Sequence, residues 1–267
     1  MDVHSIGAGR FTQVAHVEQT GSTNVDLVEA AKADPHTPRV LIADEQLKGR
    51  GRRDRSWTMP AGGGLLISFF VPWADASTAH VVPTCLGLAA VSAAAQFERS
   101  VSLKWPNDLV DDADKKLGGM LSSAVGGGDS FEGVVAGLGC NISWPTEAVS
   151  ELPDATSLDR LGGEPVDRAE FAAALTSALD GALHAVETLG VDAIHDRYRE
   201  SCRTIGQRVR VERGASQNAA PSKALVGVAT DIDPSGALLL TVDGVQHRID
   251  VGDVIHLRPS PSVAPDE

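Results

Sequence analysis

The chain has 267 residues, 42% of them hydrophobic, and 36 acidic against 23 basic side chains give a formal net charge of -13. That length supplies one large core, or a main domain with a small satellite, and the acidic balance argues against a surface that tracks nucleic-acid backbone. The 3 cysteines form no C-x-x-C pair, which excludes a disulfide framework and fits a reducing cytoplasm, and neither a leader nor a long uninterrupted apolar run argues for secretion or a membrane span.

Residues 1–20 read as an entry strand with Phe11, Val14 and Val17 as its apolar positions. Gly21, Ser22, Thr23 and Asn24 follow, and then a helical pattern of Val25, Leu27, Val28, Ala30 and Ala31, so Ser22 or Thr23 is an expected N-cap. The same exposed amides and hydroxyls suit a polar ligand group. Pro35 and Pro38 close that helix, and a short buried strand at 39–43 leads to Gln46. The stretch 49–57 reads Gly-Arg-Gly-Arg-Arg-Asp-Arg-Ser-Trp, in which Asp54 is the single countercharge to Arg50, Arg52, Arg53 and Arg55. Such a loop cannot pack into a core without partners for its guanidiniums, so it is built to receive an anion. An apolar run at 65–71 reads as a central strand, which hangs the loop between two core strands like a lid.

An alanine-rich helix is predicted over 78–99, with Cys85 in the core, and then a short strand at 102–105 ends in Pro106, Asn107 and Asp108. Asn and Asp there make an ordinary turn, or hold a hydrated Mg²⁺ through oxygen ligands, with Lys104 beside them. Lys116 closes a charged loop and precedes Gly118 and Gly119, glycines inside a strand that mark close approach of a ligand or backbone. The strand at 131–141 runs into Gly137 and Gly139, read as a tight turn displaying Asn141; the rest of a dinucleotide fingerprint is absent. Helical spacing recurs over 167–189 and 191–202, and the 8 histidines show no zinc spacing. From about residue 205 the texture changes to short alternating runs at 207–212, 224–232, 237–242, 245–250 and 254–257, a small β-barrel, and 259–267 reads as a disordered tail. The expected division is a catalytic domain at 1–203 and a second domain at 204–258.

The cationic loop, Lys116, the Lys104–Asp108 turn and the Ser22–Asn24 helix start ask for one explanation, and no Ser-His-Asp or Cys-His arrangement offers a covalent nucleophile. Phosphate chemistry by positioning and charge neutralisation fits. In Gly49-Arg50-Gly51-Arg52-Arg53-x-Arg55-x-Trp57, Lys104-Trp105-Pro106-Asn107-Asp108, Lys116-Leu117-x-Gly119-x-Leu121, Ser22-Thr23-Asn24 and Gly137-x-Gly139-x-Asn141, the sequence resembles the biotin protein ligases, in order and spacing over roughly residues 20–145.

That resemblance implies an α+β fold of the class II synthetase-like, biotin-lipoate ligase type, with a mixed sheet packed by helices and a C-terminal SH3-like β-barrel. It implies a two-step reaction in which biotin and ATP give biotinyl-5′-AMP and pyrophosphate, and a lysine of a biotin carboxyl carrier domain then takes the biotin. By position, Ser22, Thr23, Asn24 and Gln46 hold biotin, with Gly119 beside them. Arg50, Gly51, Arg52 and Lys116 grip the carboxylate and α-phosphate, and Arg50, Arg52 and Lys116 are the implied catalytic groups. Arg53, Arg55 and Lys104 serve the nucleotide, Trp57 stacks near the adenine, Asn141 hydrogen-bonds it, and Asp108 with Asn107 holds Mg²⁺. Two positions depart from the family: Asp54 stands at a usual glycine, and Gly118 at a common alanine. About twenty residues precede Ser22, so a winged helix is not expected and a ligase without a DNA-binding repressor role is. A lipoate- or octanoate-transferring relative shares the fold and differs in the loop motif. A nucleic-acid-binding module is disfavoured by the acidic balance and the single tyrosine.

Overall fold

The computed structural model describes residues 2–60, 62–127, 130–144, 152–212, 224–250 and 252–257, so the predicted tail at 259–267 lies outside it. Strands β1 (Gln13–Thr20), β2 (Arg39–Gln46), β3 (Gly64–Pro72), β4 (Ser102–Lys104), β5 (Asp108–Val110), β6 (Lys116–Val125) and β7 (Gly133–Asn141) form one sheet in the order β1-β2-β3-β7-β6-β5-β4. Among these strands only β1 and β2 pair in parallel, and the crossover this requires is helix α1 (Thr23–Ala33).

β3 and β7 are central and covered on both faces, which is why their apolar runs are nearly unbroken. Leu65, Ile67, Phe69 and Val71 alternate to one face with Val134, Ala136 and Leu138, against helices α2 (Val81–Gln96) and α3 (Arg168–Leu189). Phe70 and Val135 take the other face with Leu27 and Ala31 of α1. The segment Ala76–Gln96 is long and apolar enough to cross a membrane by composition, but here it is the core helix, and its alanines let it lie close to α3. Asp167 caps α3 by accepting the Ala169 and Glu170 amides, and Gly190, at φ 87°, ends it before α4 (Val191–Ser201).

The five predicted C-terminal runs are five strands, β8 (Arg208–Glu212), β9 (Leu225–Ile232), β10 (Leu238–Val242), β11 (Val245–Ile249) and β12 (Asp253–His256), in an antiparallel sheet of order β11-β10-β9-β8-β12. Asp243 and Gly244, both at positive φ, make the two-residue hairpin between β10 and β11. This sheet is fused to the rest of the chain. Val209, Val211, Ile232, Leu238 and Leu240 join the same buried cluster as the first sheet. Trp105 Nε1 donates to Gly236 O at 2.9 Å, and His80 Nε2 and His195 Nε2 lie 2.9 Å from the Pro234 and Ile232 carbonyls.

Candidate functional site

Helix α1 covers only part of its face of the sheet. Beyond Phe70 and Val135, the same face presents Ser68, Gly119, Gly137 and Gly139 to a cavity of about 190 Å³. The register explains the grouping, because Ser68 opposes Gly137 and Gly119 opposes Gly139, and opposed residues share a face. The tight turn predicted at 137–141 is corrected: β7 stays extended through Asn141, and its glycines form a floor. A Cβ on Gly137 would stand 2.9 Å from Ser68 Oγ, and one on Gly139 would stand 2.5 Å from Trp57 Nε1.

One end of the cavity is the start of α1, where Ser22, Thr23 and Asn24 are buried. Ser22 is the N-cap by position but makes no side-chain cap bond. Gln46 of β2 caps instead, its Oε1 accepting the Thr23 amide at 2.8 Å and the Thr23 hydroxyl at 3.1 Å, which leaves its Nε2 as a donor. Thr23 Oγ1 also lies 2.8 Å from Ser68 Oγ. Asn24 is used inside the protein: Nδ2 donates to Leu121 O at 3.1 Å and Oδ1 accepts from Ser123 Oγ at 2.7 Å. It braces the wall.

The arginine loop closes on itself. The Gly51 amide donates to Arg55 O at 2.7 Å and the Trp57 amide to Gly49 O at 2.9 Å, around a turn in which Arg53 has φ 55°. Position 49 demands glycine, since a Cβ there would lie 2.3 Å from Trp57 O. Arg50, Gly51, Arg52, Arg55, Ser56 and Trp57 line the cavity. Arg53 turns away, and its guanidinium lies 3.4 Å from Glu212 O of β8. The side chain of Asp54 lies outside what the structure describes. Trp57 Nε1 is buried without a hydrogen-bond partner among the described residues, a donor that a ligand can use.

Opposite the loop, Lys116 Nζ pairs with Asp108 Oδ1 at 2.6 Å and stands 5.5 Å from the Trp57 ring centroid. The turn before Asp108, with a cis Trp105–Pro106 bond, is locked to β6, because Asn107 Nδ2 donates to Met120 O at 2.6 Å and the Met120 amide returns a bond to Asn107 O at 2.9 Å. Asn107 Oδ1 and the second Asp108 oxygen remain as hard oxygen donors. Trp105, Pro106, Asn107, Asp108 and Lys116 all face the cavity; Lys104, Arg53 and Asn141 do not. Asn141 is 2% exposed and donates from Nδ2 to Thr156 O at 2.9 Å, with a buried Oδ1 that has no hydrogen-bond partner among the described residues. Burial pushes the Cys140 thiol up to about 12, so it offers no thiolate at neutral pH. Ser68 and Val254 are lining residues the sequence reading missed. A lone serine in the apolar run of β3 was a signal for the first; nothing marked the second. A second cavity of about 360 Å³ shares Arg52, Pro106, Asn107, Met120 and Leu121 with the first, which extends the room beyond a single small ligand.

The sequence matches the Biotin/lipoate A/B protein ligase family over residues 16–141 and the Biotin protein ligase C terminal domain over 204–257. It is 36% identical over 261 residues to the biotin--[acetyl-CoA-carboxylase] ligase of Mycobacterium tuberculosis, covering 95% of this chain and 92% of that protein. Identity is 30% to the enzyme of that name from Paracoccus denitrificans, over 83% of this chain and 91% of that one. The fold superposes on a biotin protein ligase from Aquifex aeolicus in complex with biotin and ATP, with a TM-score of 0.73 at 24% identity over 93% of this chain and 100% of that one.

Proposed function

Since the chain belongs to the biotin protein ligases of the biotin/lipoate A/B protein ligase family, we propose that this pocket is where biotin meets ATP, and assign its residues accordingly. The enzyme activates biotin with ATP to biotinyl-5′-AMP and pyrophosphate, then transfers biotin to its protein substrate. That substrate is a carboxylase, and we assign the acceptor to a lysine on its biotin carboxyl carrier domain.

In the first step a biotin carboxylate oxygen attacks the α-phosphorus, and the bond to the bridging oxygen of pyrophosphate breaks. Two anions approach one another, so the barrier falls only if cations surround both. The observation that carries the reading is the convergence of Arg50, Arg52, Arg55 and Lys116 on one cavity whose far end is the polar start of α1. Gln46, Thr23 and Ser22 suit the ureido head of biotin, Gln46 Nε2 as a donor, the Ser22 hydroxyl in either sense and Thr23 Oγ1 as an acceptor. Arg50, Arg52 and Lys116 take the carboxylate and the α-phosphate, planar guanidiniums as bidentate partners and the ammonium as a point charge. Trp57 closes over the adenylate against the glycine floor. Asn24 supports the biotin end through the wall. Asn141, Lys104 and Arg53 stand back from the cavity and act, on this reading, behind it. In the second step the acceptor amine attacks the acyl carbon, the bond to the phosphate oxygen breaks, and AMP leaves while the amine gives up its proton.

Mg²⁺ fits the donor set. One carboxylate and one amide oxygen are the hard ligands that a Mg²⁺ ion takes while keeping water and substrate phosphate in its other positions. Asp108 and Asn107 would hold it, and it would neutralise phosphate charge. No group of three or more His, Cys, Asp or Glu among the described residues offers a full protein cage.

Pyrophosphate release from ATP, measured with biotin, lipoate and octanoate in turn, tests the assignment. Release is expected with biotin, and release with another acid but not biotin would refute it.

A further inference from the structure

A chain of hydrogen bonds links β12 to the turn that carries Asn107 and Asp108. The Trp105 amide donates to Thr204 Oγ1 at 3.0 Å, Thr204 Oγ1 lies 3.2 Å from His256 Nε2, and His256 Nδ1 lies 3.2 Å from Asp114 Oδ1. Thr204 is fully buried and the His256 side chain is 7% exposed, so water does not readily replace these partners. A neutral imidazole satisfies every partner in this chain. With Thr204 Oγ1 accepting from the Trp105 amide and giving its own proton to Nε2, the imidazole is neutral and carries its proton on Nδ1, facing Asp114.

The surroundings favour that neutral form. Burial, then the positive charge of Lys104, and after them Arg203, hold the imidazole below its ordinary value, with Asp114 opposing. Asp114 is itself shared with Arg203 Nε at 2.9 Å. Two residues before His256 on the same strand, Val254 lines the cavity, so β12 is already part of the site's wall.

We propose that His256 is a positioning residue for biotin activation: through Thr204 it fixes the Trp105 peptide, and with it the Asn107–Asp108 turn. The C-terminal sheet is thereby part of the catalytic geometry. This inference rests on the reading of the cavity as the biotin-activating site.

The test uses the full chain and follows pyrophosphate release with biotin and ATP alongside thermal unfolding. Thr204→Val is expected to lower kcat about ten-fold with the KM for biotin within about two-fold, because the Thr23–Gln46 end is untouched, and Thr204→Ser is expected to restore the rate. Wild-type kcat should fall on the acid side as His256 takes up a proton. His256→Gln keeps a donor for Asp114 and an acceptor for Thr204 and should retain the rate while losing that acid limb. Wild-type kcat in Thr204→Val, or a loss confined to KM, overturns the proposal. Should Thr204→Val fail to fold, an unchanged acid limb in His256→Gln overturns it. A wild-type chain that releases no pyrophosphate with biotin removes the site assignment itself.

Discussion

Replacing Gly139 with alanine separates the stability of the fold from the geometry of the site. Gly139 has ordinary extended backbone within β7, where alanine is favoured over glycine by roughly 0.5–1 kcal/mol. The new Cβ would lie 2.5 Å from Trp57 Nε1 and 2.7 Å from Cε2, about 0.9 Å short of the 3.4 Å at which ordinary contact begins. The indole must retreat by about that distance, and it can, because it sits at the end of a surface loop whose Ser56 is exposed. Overpacking a rigid core costs about 1–3 kcal/mol, but here the loop yields instead, so the net change in stability should stay within about 1 kcal/mol. The site does not escape so lightly. Trp57 bears on Lys116, 5.5 Å from its ring centroid, and a misplacement on the order of 1 Å near the reacting groups can lower a rate about 100-fold. We expect kcat/KM for pyrophosphate release to fall about 10- to 100-fold while the urea midpoint barely moves. A variant with normal kinetics, or one destabilised by more than about 2 kcal/mol, would falsify the view that Trp57 rests on a glycine floor for catalytic reasons.

Lys116→Ala should abolish adenylate formation while leaving a cooperative unfolding transition near the wild-type midpoint; near-normal single-turnover rates would remove Lys116 from the site. Arg52→Gly should weaken retention of the adenylate, read as biotin appearing on bystander lysines of an unrelated protein, and unchanged leakage would count against that role. Burial raises the Asp233 pKa, but Ser235, Arg248 and the Ala237 and Ser235 amides hold it down to about 2, so its contribution is complete above the ordinary aspartate value and lost as pH falls toward 2. It amounts to about 2 kcal/mol, and in Asp233→Asn the steep loss of stability across that window should flatten.

The elements were legible wherever one physical signal dominated. Helix α3 followed from Phe171, Leu175, Leu179 and Leu183 at helical spacing, and the hairpin at Asp243-Gly244 from its turn residues. The site was legible as a set of motifs, because cationic residues between glycines have no reason to be in a core. What sequence reasoning missed depends on long-range register. The role of Gly137 and Gly139 as floor follows from their pairing with Ser68 and Gly119, and glycine in sequence signals a turn as readily as a strand. Gln46 capping α1 needs β2 to run beside the start of that helix, which no local propensity encodes. Reading the C-terminal strands as a satellite overlooked Val254 and His256, because a short alternating strand says which residues face inward but not against what.

The pair between Lys116 and Asp108 clarifies how such a cationic site stays selective. At 2.6 Å, with the two side chains 38% and 27% exposed, the pair contributes at most about 1 kcal/mol, because each partner would otherwise be well hydrated. A substrate anion that takes up the same ammonium also meets Arg50, Arg52 and Arg55, which line the same cavity, so its attraction to the site does not rest on the lysine alone. Substrate anions can therefore compete successfully with Asp108, whereas a stronger internal partner would hold the lysine back. Until they arrive, Asp108 keeps the ammonium aimed across the glycine floor and offsets the arginines that share the cavity. On the reading proposed above, Asp108 sets the direction of Lys116 before the substrates bind and is freed as an oxygen ligand once they have taken the lysine.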